Sequence, residues 1–141
     1  MTTTYDQGEL GPIADYSAST FTMDLPNTVI ADLNVHLIIA HTFNSDLEVV
    51  LESPSGTTVS LFDRIGGGSE NFFNTVLDDE AEYFIGDGSA PYSGNWTPAG
   101  SLSDLDGENA LGTWQLHIYD YAEEDTGTLV DWALEISESC D

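Results

Sequence analysis

The stretch WQLHIY, residues 114–119, alternates large apolar side chains with more polar ones at a period of two. Successive side chains of a β-strand point to opposite faces, so this period places one face in a core and the other in water. Similar alternation recurs in four other runs, at residues 33–39, 47–52, 59–61 and 130–136. The sequence therefore predicts an all-β protein.

Turn-forming residues separate these runs. Ser53-Pro54-Ser55-Gly56 stands between the second and third runs, and Glu124-Asp125-Thr126-Gly127 stands before the last one. Proline presets the φ angle of a tight turn, and glycine accepts the positive φ that such a connection often needs. Short alternating strands joined by such turns, with no helical stripe, indicate a β-sandwich or barrel.

The 141 residues fit one domain with a workable core. Residues 1–19 are polar and show no period, which predicts an N-terminal arm or linker before a sandwich over residues 20–141. The middle of the chain, from Gly66 to Gly112, is rich in glycine, proline and acidic side chains and predicts mostly loop. So long a loop in a compact domain is usually functional, or is held by ions or packing.

The charge of the chain is strongly one-sided. Asp and Glu number 26 against a single cation, Arg64, and the formal net charge is −25. This charge excludes nucleic acid as a partner, since phosphates require Lys and Arg, and it argues against anionic membrane surfaces. Because so many carboxylates repel one another, salt, several bound Ca²⁺ ions, or both should offset the repulsion.

Acidic side chains in loops and at strand ends are the candidate calcium ligands, because Ca²⁺ takes six to eight oxygen ligands. Each of them has a plainer interpretation, a turn cap for Asp46 and a solvated loop for the others. Glu80 extends the acidic run that begins at Asp78. The candidates are Asp46, Asp78, Asp79, Asp104, Asp106, Asp120 and Asp125.

Aromatic side chains fall into two groups. Trp114 and Trp132 occupy core-facing positions of alternating runs. Tyr92 and Trp96 lie in the loop region, where they either contact a partner or cover a minor core. No nucleophile elbow, serine-protease motif or P-loop occurs in the sequence, so we expect no enzymatic activity from this chain.

Five pieces of the sequence, taken in order, resemble the P domain of subtilisin/kexin-like proprotein convertases, in its bacterial branch. Eukaryotic members carry Trp-Gly-Glu where this chain has Asp106-Gly107-Glu108. The matching pieces are His41-Thr42-Phe43 with Asp46-Leu47, Ser53-Pro54-Ser55-Gly56-Thr57, residues 74–81, Gly112-Thr113-Trp114-Gln115-Leu116, and Gly127-Thr128-Leu129 with Trp132-Ala133-Leu134.

The resemblance implies a jelly-roll-like β-sandwich of about eight antiparallel strands. It implies a non-catalytic, calcium-stabilised domain that packs on a subtilisin-like catalytic domain in the same chain, or binds protein substrate, in a secreted or extracellular protein. It also implies that His41 makes a structural hydrogen bond near its turn.

Two other functions remain open from the residues alone. One is an independent jelly-roll module that binds protein or carbohydrate through Tyr92 and Trp96. The other is an enzyme with an unrecognised pair of carboxylates. Calcium bridging acidic faces would also allow a calcium-linked homo-oligomer.

Overall fold

A computed structural model describes residues 2–6, 8–41, 44–65, 70–89, 91–121 and 127–138. These residues contain no α-helix; they form strands and three short 3-10 turns at Asn44–Asp46, Ile85–Asp87 and Leu102–Leu105. The strands are β1 (Thr2–Tyr5), β2 (Gly11–Ile13), β3 (Ala18–Leu25), β4 (Ile30–His41), β5 (Leu47–Glu52), β6 (Thr58–Asp63), β7 (Phe72–Leu77), β8 (Gly94–Trp96), β9 (Gly112–Asp120) and β10 (Gly127–Glu138).

The strands form two sheets. One sheet has the order β1-β10-β4-β7-β8, with β2 also paired to β10, and the other has the order β3-β9-β5-β6. The paired strands are antiparallel except for β7 and β8, which are parallel. The prediction of an all-β sandwich is confirmed, with ten described strands where about eight were expected.

The N-terminal segment is more ordered than an arm. β1 pairs with the last part of β10, from Thr2 opposite Ser137 to Tyr5 opposite Leu134, and β2 pairs with the first part of β10. Strands this short carry no readable alternation, because three or four residues hold at most two side chains on each face. The segment therefore supplies two strands to the six-stranded sheet, although its sequence predicts only a linker.

The loop-rich middle of the chain also contains sheet. β7 lies beside β4, with Leu77 opposite Val35, and β8 extends the same sheet in parallel with β7. β7 is irregular, because Asn74 has a φ of +50° and the pairing with β4 shifts between Leu37 and Ile39. Such an irregularity breaks the period-two pattern that would have identified the strand from sequence.

The core lies between the two sheets and is built from the alternating runs. Trp114 and Trp132 are 0% and 1% exposed, as their positions predict. The indole N–H of Trp114 donates to Ala110 O at 2.9 Å, and that of Trp132 donates to Glu9 O at 2.9 Å. Both rings thus bury their apolar surface without an unpaired polar group.

The turn between β5 and β6 is held by a distant carboxylate. Glu108 Oε1 accepts hydrogen bonds from Ser53 Oγ (3.0 Å) and Ser55 Oγ (2.7 Å), and its Oε2 accepts from Thr57 Oγ1 (2.7 Å). Burial acts to raise the pKa of Glu108, but these bonds from Ser55, Thr57 and Ser53 outweigh it and hold the pKa below its ordinary value. Glu108 therefore fastens the loop before β9 to this turn.

Candidate metal centre

Three carboxylates meet at one end of the six-stranded sheet. The nearest ligand oxygens of Asp32, Asp78 and Glu80 all lie within 4.8 Å of one another. Asp32 is near the start of β4, and the other two follow the end of the neighbouring strand β7. Because β4 and β7 are antiparallel, the start of one lies beside the end of the other. We call Asp32, Asp78 and Glu80 the acidic cluster.

Backbone hydrogen bonds hold the cluster in place. Asp78 N donates to Trp96 O at 2.9 Å, and Ala81 N donates back to Asp78 O at 3.0 Å. Glu80 N donates to Asp78 Oδ1 at 2.9 Å. The second carboxylate oxygen of Asp78 takes no part in this hydrogen bond. The loop after β7 thus presents its carboxylates at fixed positions.

A fourth carboxylate lies at the edge of the cluster. Gly107 N donates to Ile30 O at 2.7 Å and Ile30 N donates to Glu108 O at 2.9 Å, which brings the loop carrying Asp106 against the start of β4. Burial, followed by the charges of Asp32 and Asp79, raises the pKa of Asp106. The negative field therefore extends beyond the three clustered side chains.

The cluster favours a bound proton or a cation. Glu80 is exposed as a residue, but desolvation of its carboxyl group within the cluster raises its pKa to about 7, with further contributions from a hydrogen bond to Asp32 and from the charges of Asp32 and Asp78. A divalent cation would relieve the same repulsion without a proton. Because the three side chains offer only oxygen ligands, they suit a hard cation such as Ca²⁺.

A pH dependence follows for the protein in chelator. Between pH 4.5 and about 7, folded Glu80 retains a proton that the unfolded chain has released, so raising the pH should lower the free energy of unfolding through this group. We expect Glu80→Gln to gain stability relative to wild type across this window. Denaturant titrations at several pH values would measure that difference. The exposed neighbour Glu82→Gln is the control, and a wild-type-minus-variant difference that is flat with pH would contradict the expectation.

Asp79 does not belong to the cluster. Its Oδ1 accepts from Leu102 N at 3.0 Å and its Oδ2 accepts from Ser103 N at 2.7 Å. Both carboxylate oxygens thus hold the start of the 3-10 turn Leu102–Leu105, which is a structural role. Asp104 lies exposed in that same turn, and the clusters found among the described residues do not include it.

A second cluster lies at the opposite end of β4. His41, Asp46 and Asp120 are 2%, 4% and 3% exposed, with nearest ligand atoms within 4.8 Å of one another. His41 Nε2 and Asp120 Oδ2 are 3.1 Å apart, and both side chains are completely buried. We call these three residues the buried cluster. It is a buried imidazole–carboxylate pair with a second carboxylate beside it.

The two clusters differ in chemistry. Imidazole is a common ligand for zinc and other transition metals, whereas Ca²⁺ is held by oxygen. The contact between His41 and Asp120 has the geometry of a charge-assisted hydrogen bond between the ends of β4 and β9. Asp46 contributes there too, since its backbone O accepts from Tyr121 N at 2.9 Å. This arrangement fits a structural pair better than a calcium site.

The sequence-predicted ligands are therefore divided among several places. Asp78 is in the acidic cluster with Asp106 at its edge, Asp46 and Asp120 are in the buried cluster, and Asp125 lies outside the described residues. Asp32 was missed. It is a single acidic residue at the start of an alternating run, and only the pairing of β4 with β7 brings it to Asp78.

Of the two predicted partner-binding aromatics, Tyr92 is buried and Trp96 is partly buried. Tyr92 is 1% exposed, and its ring stacks on Phe72 with centroids 5.1 Å apart. Trp96 packs against the core, edge-on to Tyr92, and its indole N–H donates to Tyr92 O at 2.9 Å. The loop rings therefore extend the core, which is the second of the two interpretations that the sequence left open; Trp96 keeps part of its surface in water. Within the described ranges, no helix is long and apolar enough to cross a membrane.

Comparison with known proteins identifies relatives of the whole sandwich. The profile of the proprotein convertase P-domain family matches residues 30–136. A calcium-dependent protease of Trichormus variabilis is 32% identical over 129 residues, covering 89% of this chain and 17% of the relative. Leupeptin-inactivating enzyme 1 of Streptomyces exfoliatus is 29% identical over 118 residues, covering 84% of this chain and 20% of the relative. The chain thus spans a fifth or less of these relatives.

Solved structures share the fold. The serine protease of Aeromonas sobria in complex with its chaperone matches 99% of this chain and 28% of its own, with a TM-score of 0.56 and 17% identity. The same protease alone matches with a TM-score of 0.55 over 99% of this chain and 27% of its own. At this identity the likeness concerns the fold of the two-sheet sandwich.

Proposed function

Because this chain belongs to the proprotein convertase P-domain family, we propose that it is a non-catalytic, calcium-stabilised accessory domain of a secreted subtilisin-like serine protease. The observation that carries the proposal is the family match over residues 30–136. In this role the domain packs on a catalytic domain of the same longer chain and stabilises it, or binds protein substrate for it.

The motif residues that resemble the family have structural roles in the fold, which supports a non-catalytic domain. His41 joins the end of β4 to the end of β9 through Asp120, and the Ser53–Thr57 turn is fastened by Glu108. His41 and Asp120 are fully buried, so neither side chain is open to a substrate. The turn serines bond to a carboxylate whose lowered pKa makes it a poor proton acceptor for catalysis.

The acidic cluster supports the calcium part of the proposal. It offers three carboxylates, and Asn34 stands two residues after Asp32 on the same outward face of β4. Asn34 Nδ2 donates to Glu135 Oε1 at 3.0 Å, while its buried Oδ1 has no hydrogen-bond partner among the described residues. An amide oxygen is also a common calcium ligand. Asp32, Asp78 and Glu80 would therefore hold the ion, which would offset their mutual repulsion.

Calcium should stabilise the isolated chain measurably. At a concentration of 100 times its dissociation constant, Ca²⁺ is expected to add about 2.7 kcal/mol to the free energy of unfolding. Thermal unfolding in chelator and in CaCl₂, both at high NaCl to screen general repulsion, would measure this. Asp78→Asn should remove most of the gain in calcium, yet should not destabilise the protein in chelator, because it removes one of the repelling charges.

Asp104→Asn is the matched control, since Asp104 is an exposed aspartate outside both clusters. It should keep the full response to calcium. An equal loss of response in both variants, or no response in the wild type, would reject the calcium site while leaving the accessory role open.

The accessory role needs a test in the whole protein that contains this chain. We expect that protein to have peptidase activity, and Asp78→Asn to shorten the half-life of that activity during heating in calcium. Asp104→Asn should leave the half-life unchanged. Peptidase activity of the isolated chain, or its absence from the whole protein, would overturn the proposal.

A further inference from the structure

A row of aromatic side chains lies on the outer face of the four-stranded sheet. His117, Tyr119 and Tyr121 occupy every second position at the end of β9 and just beyond it, with successive ring centroids 6.3 Å apart and ring planes inclined by 27° and 28°. Tyr16, 62% exposed, lines a shallow depression of about 260 Å³ together with Tyr119 and Tyr121. We call Tyr16, His117, Tyr119 and Tyr121 the aromatic row.

Carboxylates border this row. The register of the sheet places Glu48 of β5 opposite Tyr119, and Asp63 of β6 opposite Glu48. The hydroxyl of Tyr121 donates to Glu48 Oε1 at 2.5 Å, and His117 Nε2 lies 2.9 Å from Glu52 Oε1. The hydrogen bond to Glu48, with burial and the charges of Glu48 and Asp63, raises the pKa of Tyr121 to about 12. Tyr121 therefore stays uncharged at neutral pH, and carboxylates of the neighbouring strands border the row.

The one cation of the chain lies on this row. The guanidinium carbon of Arg64 is 5.0 Å from the centroid of the Tyr121 ring, within the range of a cation–π contact. Arg64 Nε donates to Ser45 O at 3.2 Å, which fixes the side chain in this position. The sequence has no other Lys or Arg, so a cation for the rest of the row has to come from another molecule or another part of a longer chain.

We propose that the aromatic row is a docking surface for an arginine-containing segment of a partner protein. Tyrosine faces attract a guanidinium, and Arg stacks on them better than Lys because its head group is planar. The bordering carboxylates and the net charge of −25 complement a cationic segment. The inference goes beyond the proposed function, because it requires neither bound calcium nor a protease domain.

The test is binding of short labelled peptides to the isolated chain at high salt, where general attraction to a polyanion is screened. The probes are an alternating glycine–arginine octapeptide and its glycine–lysine counterpart. We expect tighter binding of the arginine peptide. The double variant Tyr16→Leu with Tyr119→Leu should weaken that binding about tenfold, as expected for the loss of two cation–π contacts.

The control removes two exposed rings elsewhere without changing the net charge. Tyr83 and Phe84 are 62% and 43% exposed and lie in the loop region, so Tyr83→Leu with Phe84→Leu should leave binding as in the wild type. Equal binding by the wild type and both double variants would overturn the proposal. So would retention of neutral oligosaccharides by the wild type without preference for the arginine peptide.

A variant that binds the arginine peptide more tightly completes the test, because misfolding can weaken binding but does not strengthen it. Arg64→Gln vacates the ring of Tyr121, and we expect it to tighten binding of the arginine peptide about threefold. The more negative net charge of the variant strengthens the binding of both peptides equally, whereas the vacated ring favours arginine. The affinity for the lysine peptide should therefore rise less than the affinity for the arginine peptide. An arginine-peptide affinity that does not rise above that of the wild type would contradict the role of the row.

Discussion

Asp120→Ala is expected to lower the free energy of unfolding by about 2–3 kcal/mol, the cost of leaving a buried hydrogen-bonding group without a charged partner. Asp120 and His41 are fully buried and 3.1 Å apart, and the pair joins the end of β9 in one sheet to the end of β4 in the other. Removing the carboxylate takes a hydrogen-bonding partner away from a buried imidazole. Denaturant unfolding in chelator would measure the loss free of any calcium effect.

Two further variants test whether the loss of stability is specific to the buried carboxylate of Asp120. Asp63→Ala removes one carboxylate from an exposed position at the end of β6 and should change stability by no more than about 0.5 kcal/mol. Asp120→Asn retains the shape and an acceptor oxygen, so it should cost less than Asp120→Ala. An Asp120→Ala variant as stable as Asp63→Ala would show that the buried pair contributes little to the fold.

Glu108→Ala should cost about 3 kcal/mol, because three hydroxyl groups lose a charged acceptor at once. A hydrogen bond to a charged group contributes roughly 1.5–3 kcal/mol net, but water can replace part of the loss in this partly exposed turn. The three donors, Ser53, Ser55 and Thr57, belong to one turn, so the variant should loosen the turn and the loop before β9 together. Hydrogen exchange of the amides in both segments, alongside denaturant unfolding, would detect this.

The pH dependence of the stability loss in Glu108→Ala shows whether the charge of Glu108 causes that loss. Since the pKa of Glu108 is lowered in the folded state, its stabilisation is present above pH 4.5 and is lost as the pH falls through its folded pKa. Glu108→Ala should therefore differ most from the wild type near neutral pH and converge with it in acid. Exposed Glu82→Ala is the control, and a difference that does not change with pH would assign the loss to packing.

These expectations divide the acidic side chains by what they do. Asp79, Asp120 and Glu108 use their carboxylates inside the fold, as acceptors for backbone or side-chain donors. Asp32, Asp78 and Glu80 face one another, and although Asp78 also accepts from Glu80 N, their repulsion is left to be relieved by a proton or a cation. The net charge of −25 therefore does not describe a uniform surface.

Much of the fold follows from local sequence. The alternating runs became β4, β5, β6, β9 and β10, and the two tryptophans at core-facing positions are buried as predicted. Alternation succeeds here because each of these strands has one face in the core, which imposes a period of two on the side chains. β3 was not among the predicted runs, although its Phe21, Met23 and Leu25 alternate into the core. β1, β2, β7 and β8 escaped notice because short or irregular strands carry too few positions to establish that period.

The sequence by itself determined the fold class, the strands that face the core, the turn chemistry and the excess of carboxylates. Only the tertiary structure decided which carboxylates meet. Asp78 and Asp79 are neighbours in the chain, yet one joins Asp32 from a distant strand and the other accepts hydrogen bonds from the backbone of the turn at Leu102. The physical reason is that the chain turns from Asp78 to Ala81, where Ala81 N donates to Asp78 O, and the pairing of β4 with β7 sets which distant residue Asp78 reaches.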